Sequence, residues 1–138
     1  MITRLLIPAP LYDQMIAHAT RGLPREVVGL LGGSLDGQVA RVCPLRNIAG
    51  SKAFFADPYA QYQAERALRD SNLVTLAIYH SHPEGSATLS PDDLAFARPH
   101  LLQLVIAVRQ MPFLTSETRA YQIVNTGLVE VPVLVGEH

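Results

Sequence analysis

The chain has 138 residues, of which 49% are hydrophobic and 17% charged, the size and apolar content of one folded domain running over residues 1–138. A formal net charge of -1 and the lack of any Lys/Arg run remove the electrostatic footprint on which binding to nucleic acid or to an anionic membrane depends. The opening MITRLLIPAP has neither the length nor the small-residue cleavage site of a secretory signal, and the longest apolar runs, LVTLAIY and LVIAV, are far too short to span a bilayer, so a soluble cytoplasmic protein is expected.

Taken in chain order, residues 11–21 place Leu11, Met15, Ile16 and Ala19 at helical spacing, with Pro10 before and Gly22 after them as start and stop signals. EVVGLLGG and QVARVCPL are apolar, β-branched runs on either side of SLDG, whose Asp-Gly pair is a strong hairpin signal; residues 26–45 are therefore expected to form a hairpin. The single cysteine, Cys43, cannot form an intramolecular disulfide, in keeping with a reducing compartment, and reads as a small buried hydrophobe of the second hairpin strand.

Asp57-Pro58 caps and opens a second helix, YAQYQAERALRDS, with Tyr62 and Leu68 on it and a Glu65 to Arg69 pair four residues apart. LVTLAIYHSH follows, nearly continuous in apolar residues, the mark of a central strand covered on both faces. Ser90 to Arg98 reads as a short third helix stopped by Pro99, and LLQLVIAV, TRAYQIV and LVEVPVLV as further strands. The fold class is α/β, one mixed sheet with helices packed against it.

Chemistry concentrates in one stretch, YHSHPEGSATLSPDDLA, residues 79–95. Alternate side chains of a strand share a face, so His80 and His82 project together at the end of the central strand, where sites in α/β sheets are usually found. The Gly- and Ser-containing loop lets the chain return before Ser90, which stands at a helix N-cap with Pro91 first and Asp93 third in the helix. Taken alone, Ser-x-x-Asp is a capping box that only satisfies backbone amides. Combined with the two histidines it becomes H-x-H-x7-S-x2-D, and two His and one Asp with a fourth position left for water form an open, tetrahedral zinc set. Such a centre needs a carboxylate that is not a ligand to take and return a proton. Glu26, a charge leading directly into an apolar strand, is the candidate.

Glu26-Val27-Val28-Gly29-Leu30-Leu31-Gly32, His80-Ser81-His82-Pro83 and Ser90-x-x-Asp93 together resemble the JAMM (MPN+) metalloprotease motif, matched at all five positions. LRNIAGSKAFFADP, between the two parts, also resembles the segment before that family's second helix. The resemblance implies a JAB/MPN-like architecture related to that of cytidine deaminases, with one Zn2+ per chain held by His80, His82 and Asp93, Glu26 as general base and then acid, and Ser90 helping to hold the oxyanion. It implies cleavage of an amide or isopeptide bond beside the C-terminal Gly-Gly of a ubiquitin-like protein. The compact chain looks most like the short prokaryotic members, for which the partner is a ubiquitin-like sulfur carrier, freed from a C-terminal extension or from an adduct with cysteine, or another Gly-Gly-linked conjugate of it. A homodimer is an assembly the sequence allows.

Phe54 and Phe55 are candidates either for a docking surface or for the core. Asp92 reads as a solvated first-turn acid, His18 as a histidine at the edge of the core, and His100 and His138 have no ligand spacing. The alternative to an enzyme is a catalytically inert MPN-type interaction scaffold, against which the intact five-residue set argues. A DNA-repair-associated JAB-type domain is disfavoured by the lack of a helix-hairpin-helix extension and of basic patches, and a deaminase would need the cysteine-rich zinc signature that one cysteine cannot supply.

Overall fold

The computed structural model of the chain describes residues 2–50, 53–95, 98, 100–110, 113–125 and 127–136. Its elements run β1 (Leu5–Ile7), α1 (Ala9–Gly22), β2 (Val28–Gly33), β3 (Val39–Leu45), α2 (Pro58–Asp70), β4 (Val74–Pro83), α3 (Pro91–Ala95), β5 (Leu102–Arg109), β6 (Thr115–Val124), β7 (Gly127–Val131) and β8 (Val133–Val135). Six strands form a mixed sheet in the order β3-β2-β4-β5-β6-β7, and in it only β4 and β5 run parallel.

The hairpin between β2 and β3 forms as its Asp-Gly pair predicts. Gly37 sits at φ 93°, in the left-handed region open to glycine, while Asp36 accepts hydrogen bonds from the Ser34 hydroxyl and the Gln38 amide. In α2 the Asp57 side chain accepts from the Tyr59 amide at 3.0 Å, with Pro58 in the first turn, the cap and start expected there. The pair expected from Glu65 to Arg69 is not made. Glu65 turns instead to Gln61 of its own helix and to Arg98.

Each face of the sheet is covered by one long helix. Met15 and Ala19 of α1 are fully buried against Leu31, Tyr79, Leu104 and Ile106, while Ala60 and Ala64 of α2 pack on Val28, Leu30 and Ile78. The sheet makes this double cover possible because β2 and β5 are buried almost throughout, as near-continuous apolar strands must be. β4 lies inside the sheet between β2 and β5, the central position its apolar run indicates, and the end carrying His80 and His82 opens towards α3.

Several elements depart from the expectation. α1 begins at Ala9 and takes Pro10 into its first turn, where a proline costs no hydrogen bond. LVEVPVLV is two strands, since Pro132 has no N–H to continue the ladder and its carbonyl instead accepts from Leu5 at 2.9 Å. The second piece, β8, pairs in parallel with β1, a strand not anticipated, in a separate two-stranded ribbon beside the main sheet. The third helix is described over Pro91–Ala95 only; residues 96 and 97, the side chain of Asp92 and His138 lie outside the described residues. Cys43 is half-buried rather than buried. No helix among the described residues is long and apolar enough to cross a membrane.

Candidate metal centre and active site

The ladder between β2 and β4 sets Val28 opposite His80, and two further hydrogen bonds carry the pairing past the end of β2. Ser81 donates its amide to the Val27 carbonyl at 3.1 Å, and the Val27 amide donates to Ser81 Oγ at 2.8 Å. Continued by two residues, this antiparallel register brings Glu26 opposite His82. Glu26 is thereby fixed to the strand that carries the histidines, although 54 residues separate it from His80 in the chain.

On that strand His80 Nε2 and His82 Nε2 stand 3.1 Å apart. Asp93 Oδ2 completes a near-equilateral triangle with them, 3.2 Å from His80 and 3.0 Å from His82. Glu26 offers a carboxylate oxygen to the same cluster, all four ligand atoms lying within 4.8 Å of one another. The structure thus brings together the four residues read from the sequence as metal ligands and proton carrier, with Ser90 beside Asp93.

The capping box and the cluster of candidate metal ligands coexist. Ser90 donates its amide to Asp93 Oδ2 at 2.9 Å, and the Asp93 amide donates to Ser90 Oγ at 3.1 Å, the reciprocal pair of a capped helix start. The cap is what aims Asp93: it holds the carboxylate over His80 and His82 while leaving the Ser90 hydroxyl proton available as a donor.

Burial and hydrogen bonds set the protonation of the cluster. His80 is fully buried, and that burial lowers the pKa of its imidazole against the pull of Asp93, so the ring is kept neutral. Burial would raise Asp93, but hydrogen bonds to both histidines and the Ser90 amide hold its carboxyl far below the ordinary carboxylate range. His82 is raised, chiefly by its bond to Asp93. Glu26, half-buried, is raised by desolvation, which moves a carboxyl towards neutrality as a proton carrier requires.

These residues fit a divalent cation. His82 Nδ1 contacts the Ser86 carbonyl at 2.8 Å and can only donate to it, so in a neutral ring Nε2 carries a lone pair. A cation bound by that lone pair together with His80 Nε2 and Asp93 Oδ2 would take the place of the hydrogen bonds that join these three atoms without it. Ligand atoms of a tetrahedral zinc ion at 2.0–2.1 Å stand about 3.3 Å apart, close to the three separations found here.

Two polar residues that sequence reasoning passed over position the site. Asn47 donates from Nδ2 to the carbonyls of Glu26 and Ala53 and accepts at Oδ1 from the Ala49 and Phe55 amides, so it ties the backbone of Glu26 to the loop before α2. Ser81 is 1% exposed and pins Val27 as described above. Its signal was the hydroxyl inside H-x-H itself. Phe54 belongs to neither of its anticipated roles alone: half-buried, it stacks on His80 with ring centroids 4.0 Å apart, while Phe55 is 43% exposed. His18 is the edge-of-core residue expected, with Nδ1 2.7 Å from the Tyr79 hydroxyl, and His100 is exposed.

The model of the family described as prokaryotic homologs of the JAB domain matches residues 8–124. The chain is 45% identical over 96 residues to a probable TtuB-protein conjugate cleaving protease of Thermus thermophilus, a match that spans 68% of this chain and 64% of that protein. It is 34% identical over 135 residues to the CysO-cysteine peptidase of Mycobacterium tuberculosis, over 96% of this chain and 92% of that one. A solution structure of a Desulfitobacterium hafniense protein superposes with a TM-score of 0.86 at 31% identity, covering 97% of this chain and 94% of the other.

Proposed function

Since the chain belongs to the prokaryotic homologues of the JAB domain, we propose that it is a cytoplasmic zinc peptidase that hydrolyses the amide bond following the C-terminal Gly-Gly of a ubiquitin-like sulfur carrier, freeing it from an extension or an adduct. The observation that carries the reading is the triangle of His80 Nε2, His82 Nε2 and Asp93 Oδ2 with the Glu26 carboxylate alongside. The names of the Thermus and mycobacterial relatives, a conjugate-cleaving protease and a carrier-cysteine peptidase, supply the substrate class.

His80, His82 and Asp93 would hold the zinc ion, which when bound polarises a carbonyl and makes its water acidic enough to ionise near neutral pH. Glu26 takes the proton from water and gives it to the departing amine. Burial suits it to both steps, because a carboxyl with a raised pKa still accepts and more readily returns a proton. Ser90 Oγ, whose acceptor side is occupied by the Asp93 amide, turns its hydroxyl proton towards the oxygen of the tetrahedral intermediate. Asn47 and Ser81 keep Glu26 in reach of that exchange.

The test pairs metal content with turnover. Elemental analysis should find about one zinc per wild-type chain, and the loaded protein should release a ubiquitin-like sulfur carrier from a Gly-Gly-linked adduct. Glu26→Gln should keep the metal and lose turnover by about 10²- to 10⁴-fold, whereas His82→Ala should lose both. A zinc-loaded wild type that leaves the conjugate intact, or a fully active Glu26→Gln, would sink the reading and favour an interaction scaffold.

A further inference from the structure

The segment between β4 and α3 supplies no metal ligand, yet it holds one. The Ser86 carbonyl lies 2.8 Å from His82 Nδ1 and accepts its proton, and the partner of a ligand's other ring nitrogen is what fixes the ring's tautomer and orientation. Ser86 itself is exposed. A carbonyl on an exposed loop residue can orient a histidine only if the loop is held elsewhere.

Glu84 makes the turn out of β4 at φ 62°, in the left-handed region, and its amide donates to the Val108 carbonyl at 2.9 Å. The chain then folds back over the face of the sheet that carries the histidines. His80 and His82 pair with Val105 and Ala107 of β5, and Ala87 is fully buried in one cluster with those two residues and Tyr121. Tyr121 shares the face because it pairs with Gln103, two residues before Val105. Its hydroxyl donates to the Ala87 carbonyl at 2.7 Å, the one buried side-chain hydrogen bond made to residues 84–89 among the described residues. The bonds of Arg109 Nε to the Gly85 carbonyl, at 3.4 Å, and between Ser86 Oγ and Thr88 Oγ1, at 2.8 Å, are exposed.

Phenylalanine would fill the same apolar space, so what the hydroxyl adds is a partner for one buried carbonyl and, with it, a fixed register for the returning chain. Ala87 adjoins Ser86, whose carbonyl meets His82, and the same chain continues to Ser90 and Asp93. We propose that Tyr121 is a positioning residue of the metal centre: by clasping Ala87 it holds the Ser86 carbonyl on His82 Nδ1, so that the ring presents Nε2 to the ion in a single orientation. This rests on the zinc-peptidase reading and adds to its site a residue of β6, which is separated from β4 by β5 and touches none of the ligands. Exposed bonds to the loop compete with water and hold little. The buried one does not, and it sits one residue from the carbonyl that matters.

The experiment measures zinc affinity by competition with a chromophoric chelator, and solvent exchange of the His82 Nδ1 proton by NMR in the zinc-loaded protein. Tyr121→Phe should weaken zinc binding by about three- to tenfold, the value of one buried hydrogen bond, and should speed the proton exchange by a similar factor. Tyr12→Phe is the control. It removes another phenol hydroxyl that bonds to β6, 3.1 Å from Thr118 Oγ1, and should leave both readouts within about twofold of wild type. Either readout unchanged in Tyr121→Phe, or losses of the same size in Tyr12→Phe, would overturn the proposal while leaving the peptidase reading intact. Should Tyr121→Phe fail to fold, Ala87→Gly, which loosens the clasp from the loop side, decides by the same two readouts. If the wild type binds no zinc, the peptidase reading fails, and His82 Nδ1 proton exchange in the zinc-free protein decides on the clasp: faster exchange in Tyr121→Phe alone would uphold it, and equal exchange in wild type and variant would overturn it.

Discussion

Gly29 and Tyr79 face each other across β2 and β4, and the Tyr79 ring fills the space that a side chain at position 29 would need. The bare backbone of β2 lets the fully buried ring cross it and place its hydroxyl 2.7 Å from His18 Nδ1 on α1. The residue next to Tyr79 is His80. The glycine of EVVGLLGG thus makes room for Tyr79 on the face of the sheet opposite His80, and it does so by the absence of a Cβ.

Gly29→Ala should therefore destabilise the fold by about 1–3 kcal/mol, since overpacking forces a buried ring off its place. Gly50→Ala is the control: a Cβ there meets nothing within 4 Å, and the change should stay within about 0.5 kcal/mol. Urea midpoints of both variants against wild type check the pair. Equal stability of the two would mean that Tyr79 yields without cost.

Ser81 separates positioning from ligation. Its hydroxyl accepts from the buried Val27 amide, so Ser81→Ala leaves that N–H unpaired at a cost of about 1–3 kcal/mol and loosens Glu26, one residue away, without touching a ligand atom. Zinc stoichiometry should stay near that of wild type while kcat falls. A fall in zinc content as steep as that of His82→Ala would show that the strand end itself had come apart.

The residues that carry local signals were legible, and those whose meaning lies in distant contacts were not. The Asp36-Gly37 hairpin, the Asp57 cap and the alternation that pairs His80 with His82 follow from neighbouring residues, and all formed as expected. β1 and β8 are three residues each, too short for periodicity, and their parallel pairing joins the two ends of the described chain. Asn47 resembles any polar loop residue until its four hydrogen bonds are seen, and Glu65 had a plausible partner at Arg69 but found a better one at Arg98.

His18 predicts a pH dependence of stability whose sign is fixed. Burial, and then the neighbouring Arg21, lower its pKa below the ordinary 6.5, and the ring is hydrogen-bonded through Nδ1 to the Tyr79 hydroxyl. Above pH 6.5 the ring is neutral in both folded and unfolded chains and the fold keeps its full stability. Below it the unfolded chain takes up the proton first, so stability falls until the folded pKa is passed. Urea midpoints between pH 8 and 5 should fall more steeply for wild type than for His18→Gln at the same metal loading. Parallel slopes would assign the dependence to other groups.

Ser90 serves a cap and, on the reading above, an oxyanion, and substitutions can divide the two. Ser90→Ala removes the acceptor for the Asp93 amide, which costs about 1 kcal/mol as an N-cap, and removes the donor, which costs about 10²- to 10³-fold in kcat. Ser90→Gly gives up the donor too but only a few tenths of a kcal/mol as a cap. If Ser90 acts on the oxyanion, both variants should lose kcat to a similar extent although their stabilities differ. If the hydroxyl matters only because it orients Asp93, kcat and zinc content should fall together and recover together in Ser90→Thr, so the comparison of turnover per bound zinc across the three variants decides which role the hydroxyl plays.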